Sequence, residues 1–295
     1  MINPTPSICI NVDVTNPGQF FACCGLLELA DRLWPEAEGW FEDKKFMIDC
    51  KGSFKDLYDA LDSCVLTNIM SADQWARHQE FSTMKPSDRK KDPSLEIESK
   101  ELEGLIRESP IRLKSPFELT LDWFTDSYAG GSRFKTWAGM QSIRTIAEAM
   151  KNAISTEAFR SHTSENCFSY SVTKSGLPFN FDSDLGGQGS ALDVGFSFDP
   201  LAANATTKIE PSARPFLEML AFIGLQRFRP QNIAKENRYI YCAWNRPLNI
   251  AIAAPAACVM LPIANAPIYE FRLLYRTKYL KSFLPAIPFT GGSDE

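Results

Sequence analysis

The stretch from Asn16 to Pro35, NPGQFFACCGLLELADRLWP, constrains the fold of this chain more than any other. Asn16 offers a side-chain acceptor to the free amides of a helix start, Pro17 suits the first helical position, and Gln19 completes a capping-box-like pattern. Pro35 forbids continuation of the helix. Between these signals Phe20, Phe21, Cys24, Leu27 and Leu33, widened by Leu26 and Leu29, cover more than half of the circumference. A helix with so broad an apolar surface is expected to lie well buried against a sheet. Gly25 in its middle costs roughly 1 kcal/mol relative to alanine. Close approach of a neighbouring strand is the expected reason for its presence.

The surrounding pattern is mixed. SICINVDV (7–14) alternates around β-branched positions and reads as a strand, KKFMIDC (44–50) as a second, and Ser53 caps a helix over about 54–64. Strand, helix, strand, helix in this order predicts an α+β fold with a ferredoxin-like opening. Residues 82–110 are charged, rich in Ser and Pro and free of aromatic residues. They are expected to form an exposed insertion with partial helix near 95–107. IRLKSPFELTLDWF reads as strands broken at Pro116, and a helix is expected from about Trp137 to Ile154. CFSYSVT, FNFDSD and ALDVGFSF are expected as short strands around the glycine-rich bend LGGQGS (185–190). PSARPFLEMLAFIGLQRF is a second strongly apolar helix, stopped by Pro230. RYIYCAW and LNIAIAA read as a strand pair, and YEFRLLYRTKYL as a closing strand. Each half therefore carries a buried, glycine-containing helix with strands beside it. The chain, residues 1–295, is expected to be a single intertwined α+β unit.

Several function classes lack support. The eight cysteines include no CxxC pair and sit mostly in apolar runs, as expected of buried thiols in a reducing cytoplasm. Neither a disulfide scaffold nor a zinc site is expected, and no cofactor. Asp182, Asp184, Asp193 and Asp199 surround the glycine bend and read as turn carboxylates rather than metal ligands. The uncharged stretch Leu248 to Ile268 contains Pro255, Pro262 and Pro267, so it reads as a buried strand and a proline-rich connection, not as a membrane span. The N-terminus lacks the pattern of a secretory leader, and a soluble cytoplasmic protein is expected. No GxSxG, HExxH or P-loop pattern occurs, so binding rather than catalysis is expected. Of the two histidines, His78 lies in a charged helical stretch and His162 in a polar turn. His162 stays open as the base of a metal-independent endoribonuclease.

Charge is unevenly distributed. Residues 1–130 hold 23 acidic and 14 basic side chains, whereas residues 211–290 hold 3 acidic and 10 basic. The basic end is suited to phosphates or to an acidic partner. Three basic–aromatic segments stand out: Arg133, Lys135 and Trp137 before a helix, Arg227 and Arg229 at a helix end, and Arg272, Arg276, Lys278 and Lys281 in the closing strand. On a strand, Arg272, Leu274, Arg276 and Lys278 share one face and Leu273 and Tyr275 the other. A basic face anchored on an apolar layer is what holding a polyanion requires, and aromatic rings beside guanidinium groups suit unpaired bases.

At these segments the sequence resembles a known family. NPGQFFACCGLLELADRLW, SRFKTWAGMQS, LGGQGSALDVGFSFDPL, RPFLEMLAFIGLQRFRP and FRLLYRTKYLKSFLPAIPF, in this order, resemble the third "b" subunit family of type I CRISPR–Cas systems of subtype U, also called G. The resemblance implies a subunit of a Cascade-like, RNA-guided surveillance complex. Its architecture would be ferredoxin-like (RAMP-type) or that of a reduced large subunit. Its partners would be other effector subunits with guide RNA or target DNA. A place in the large-subunit position, near the flanking motif, is the first expectation. A backbone or bridging subunit is the alternative. The resemblance implies no catalytic residue.

Overall fold

A computed structural model describes residues 5–68, 70–125, 131–137, 143–172, 179–187, 212–234, 237–276 and 279–290. In chain order these form β1 (Ile8–Asn11), α1 (Pro17–Leu33), β2 (Glu38–Glu42), β3 (Lys45–Asp49), α2 (Phe54–Ser63), β4 (Leu66–Asn68), α3 (Ala72–Thr83), α4 (Pro86–Arg89), α5 (Pro93–Glu108), β5 (Ile111–Leu113) and β6 (Leu119–Leu121). There follow α6 (Ile143–Ile154), α7 (Glu157–Arg160), α8 (Ser183–Gly187), α9 (Pro215–Gly224), β7 (Gln231–Ala234), β8 (Arg238–Cys242) and β9 (Leu248–Asn249). The last described elements are α10 (Ile250–Ala257), β10 (Ile268–Arg276), β11 (Tyr279–Phe283) and β12 (Ile287–Pro288). The architecture is α+β, with antiparallel sheets ordered β1-β3-β2-β9, β4-β5-β6 and β11-β10-β8-β7. In the first sheet β3 lies between β1 and β2, which α1 connects. The strand after α2 leaves this sheet and joins β5.

Helix α1 begins as its sequence dictates. Asn16 Oδ1 accepts from Gly18 N at 3.0 Å and Gln19 N at 3.4 Å, and Pro17 occupies the first turn. The capping box does not close. Gln19 Oε1 instead accepts from Asp13 N at 2.8 Å, which ties the helix to the turn before it. Residues Pro17 to Ala30 are buried on every side, as is all of α9. The two helices cross at Gly25 and Gly224. A Cβ on Gly25 would lie 2.0 Å from the Leu220 carbonyl oxygen, and a Cβ on Gly224 would lie 2.1 Å from that of Phe21. Each glycine meets the residue one turn before the other, so the crossing is reciprocal. The neighbour that requires Gly25 is thus a helix, not the expected strand. One apolar core runs from Ile8 in β1 to Ala286 beyond β11.

A buried polar clasp joins the starts of α1 and α9. Glu218 accepts from Phe181 N at 3.2 Å and Asp182 N at 3.1 Å. Asn16 Nδ2 donates to Asp182 Oδ1 at 2.7 Å, and Arg214 Nη1 donates to Asp182 Oδ2 at 3.1 Å and Asp184 Oδ2 at 2.9 Å. Burial, then the Asp182 charge, pushes the Glu218 carboxyl up to about 8. Burial also raises Asp182. Glu218 therefore keeps its proton in the folded chain at pH values where the unfolded chain has lost it. Stability from this group is complete below the unfolded value of 4.5 and is lost as pH rises toward 8. Urea denaturation at about pH 5 and pH 8 is expected to show this loss in the parent and its abolition in Glu218→Gln, a differential of about 1–3 kcal/mol. An identical pH dependence in both proteins would place the proton elsewhere.

Several expected elements differ. LNIAIAA is not a strand beyond Asn249. Its alanines favour helix, and Asn249 Oδ1 caps α10 by accepting from Ile252 N at 3.2 Å. CFSYSVT yields a 3₁₀ turn over Ser164–Ser169 and a single bridge from Val172 to Ala213, because Asn166 closes a cap by accepting from Thr163 N at 2.9 Å. FNFDSD is not a strand but the clasp segment, with Phe179 and Phe181 buried. The helix expected from Trp137 is described only from Ile143. Residues 82–110 hold the end of α3, α4 and α5. α5 turns Leu102 and Ile106 inward, and Arg77 of α3 reaches Glu98 through two 3.0 Å hydrogen bonds. Strands β2 and β4 were not anticipated, and ALDVGFSF lies outside the described residues.

Candidate nucleic-acid interface

The C-terminal sheet positions the basic segments. Along β10 the alternation is as read from the sequence, with Phe271 and Leu273 buried and Arg272 exposed. Opposite Phe271 and Leu273 stand Tyr239 of β8 and Phe283 of β11, so these four side chains share the inner face. Phe134 packs onto that face, 4.9 Å from the Tyr239 ring and 6.0 Å from the Phe283 ring. The short 3₁₀ turn Gly131–Phe134 is thereby pinned against the sheet.

Pinning sorts the side chains of RFKTW. Phe134, Thr136 and Trp137 turn inward, and the Thr136 hydroxyl donates to the Phe179 carbonyl. Arg133 is exposed, and Lys135 lies over the Trp137 ring at 5.6 Å. Trp137 itself is only 6% exposed and packs edge-on against Trp123, Phe124 and Phe179. It is a core residue and offers no face to a base, contrary to expectation. Its ring is needed to cover α9, where Phe222 also meets it.

Arg133 lies within electrostatic reach of Tyr275 of β10. Burial raises the Tyr275 hydroxyl, as does neighbouring Tyr239, while the Arg133 charge opposes the rise. The Tyr239 hydroxyl below is buried with no hydrogen-bond partner among the described residues. Across the strand, Arg272 is 58% exposed and stands 3.7 Å from Glu270. Glu270 is itself held by Arg238 through bonds of 2.7 and 2.6 Å, and those bonds lower its pKa. The outer face therefore carries a carboxylate between two guanidinium groups. The side chains of Arg276 and Lys281, and Lys278 entirely, lie outside the described residues.

Of the two remaining candidates, Arg227 is paired with a carboxylate of the chain itself. Arg227 Nε donates to Glu28 at 2.6 Å, and Arg32 Nε donates to the same carboxylate at 2.7 Å. A basic group of the back half is thus matched by an acid of the front half. Arg229 is half-buried beside the Cys258 thiol. Long-range charge segregation in the sequence gave no sign of this Glu28–Arg227 pairing.

His162 and Tyr170 lie together, ring centroids 5.1 Å apart, but each is engaged with backbone. His162 Nδ1 meets the Ala158 carbonyl at 3.0 Å, and the Tyr170 hydroxyl donates to Ala153 O at 3.4 Å. Arg160 beside them is committed to Asp62 at 2.7 Å. Asp182 and Asp184 both face Arg214, and Asp193 and Asp199 lie outside the described residues. Among the described residues no cluster of His, Cys, Asp and Glu could hold a metal ion, and no helix is long and apolar enough to cross a membrane. The cysteines are unpaired, and burial raises the thiols of Cys23, Cys24 and Cys167. No protein-family model, curated protein or solved structure matches the chain.

Proposed function

We propose that the chain is a nucleic-acid-contacting subunit of a type I CRISPR surveillance complex, in the large-subunit position. It acts by holding a backbone rather than by catalysis. The ordered set of segments that resemble the "b" subunit family supports this reading. The observation that carries it in three dimensions is Arg133, exposed on a turn locked to the C-terminal sheet by Phe134. An exposed guanidinium on a rigid support suits a backbone phosphate. A reduced large-subunit architecture is favoured over a RAMP-type one. The split connection through α1 opens as ferredoxin-like folds do, but the strand after α2 joins a different sheet.

The test is target-DNA binding by complex reconstituted with and without this chain, followed over a range of salt. Each phosphate contact contributes about −0.9 to the slope of log K against log salt. Arg133→Ala is expected to flatten the slope by about one unit, and Arg272→Ala by less, because Glu270 already shares its charge. A slope unchanged by Arg133→Ala would remove the carrying observation.

A further inference from the structure

A cleft of about 640 Å³ opens where the first sheet meets the C-terminal sheet. Hydrogen bonds between distant segments hold its walls together. Phe41 N donates to Trp244 O at 2.8 Å, and Ala243 N donates to Pro267 O at 3.0 Å. The Tyr241 hydroxyl donates to Val14 O at 2.7 Å. These bonds join β2, β8 and the turn after β1, so the cleft is a rigid part of the fold.

Its lining has a distinct chemistry. Tyr269 supplies aromatic surface and is held by stacking on Tyr241 with centroids 5.8 Å apart, while Trp40, buried at 6% exposure, contributes only an edge to the wall. Pro6, Pro247 and Pro267 also line it. Prolines lack the amide donor that would let an incoming strand pair with the wall, so simple strand addition is disfavoured there. Glu42 and Asp43, at the β2–β3 turn, bring two carboxylates. Glu42 is oriented by the Trp40 indole, which donates to it at 3.4 Å. Asp13 stands near Tyr269 as well and, after burial, is a cause of its raised pKa. Against these acids the lining has one cation, Arg246.

This balance repels phosphate and favours a positive ligand. A proline-lined groove with a tyrosine face suits a left-handed extended segment, whose backbone needs no pairing and whose proline rings pack flat on Tyr269. Carboxylates beside aromatic faces also hold a guanidinium or ammonium group. We propose that this cleft docks an extended, proline-containing segment of a partner protein that carries an arginine or lysine. The site is separate from Arg133 and does not depend on nucleic-acid binding by that residue.

The test is calorimetric titration of the full chain with capped peptides in which one arginine precedes or follows a Pro-x-x-Pro core. Matched peptides carrying glutamate instead of arginine, and a single-stranded oligothymidylate, serve as competitors. Binding of an arginine peptide with a dissociation constant near or below about 100 µM is expected. Replacing its arginine by glutamate is expected to weaken binding about tenfold. The double variant Glu42→Gln, Asp43→Asn is expected to weaken it about fivefold and to flatten its salt dependence. Tyr269→Phe keeps the ring and is expected to bind like the parent, whereas Tyr269→Ala loses binding while the circular dichroism spectrum is retained. Equal binding of arginine and glutamate peptides, displacement by the oligothymidylate, or no binding by any peptide at about 1 mM would each overturn the proposal.

Discussion

Gly25→Ala is expected to destabilise the chain by about 3 kcal/mol, although alanine is the better helix former by about 1 kcal/mol. The reason lies in the crossing of α1 and α9. The added methyl would sit 2.0 Å from the Leu220 carbonyl oxygen, a backbone atom that cannot rotate away. The helices must separate, and the aromatic layers on both sides of them must repack. Gly224→Ala drives the same separation from the other helix, since its methyl would meet the Phe21 carbonyl oxygen at 2.1 Å. The two substitutions share one displacement, so the double variant is expected to cost less than the sum of the singles by about 1 kcal/mol or more. Urea midpoints of the four proteins measure this cycle. Parent-like stability of either single variant, or strict additivity, would mean that the crossing yields elsewhere.

Glu28→Ala is the second large effect. Glu28 is 2% exposed and receives Arg32 from its own helix and Arg227 from the end of α9. Removing one member of a buried ion pair costs about 3–5 kcal/mol when the partner charge stays dry. Here Arg32 and Arg227 are 27% and 44% exposed, so both keep water and the expected loss falls to about 2–3 kcal/mol. Glu28→Gln keeps the shape and is expected to lose about half as much. The pair also separates structure from interface. Arg227→Ala should lower the urea midpoint while leaving the salt slope of DNA binding unchanged, the opposite of Arg133→Ala. A flattened slope with unaltered stability would return Arg227 to the interface.

Much of the local structure was legible. Asn16-Pro17 and Pro35 bracketed α1 to within two residues of its observed ends, and Ser53 marked α2. Alternation in FRLLY assigned inner and outer positions on β10, because a strand's period is two whatever it pairs with. Sites were less legible, since a basic residue beside an aromatic one looks alike in a core turn and on a surface. Trp137 and Arg133 lie four residues apart with opposite fates, and only the packing of Phe134 on Tyr239 distinguishes them. Trp40 and Tyr269, which line the cleft, come from segments with no motif to connect them.

Caps, prolines and side-chain alternation act within a few residues, so helix ends and the apolar face of each strand follow from local sequence. Which element covers Gly25, which arginines meet carboxylates and which face water follow only from the closed fold. Those outcomes depend on groups about 200 positions apart meeting across a shared core, as Glu28 and Arg227 do. Only the closing of that core excludes water and fixes their distance.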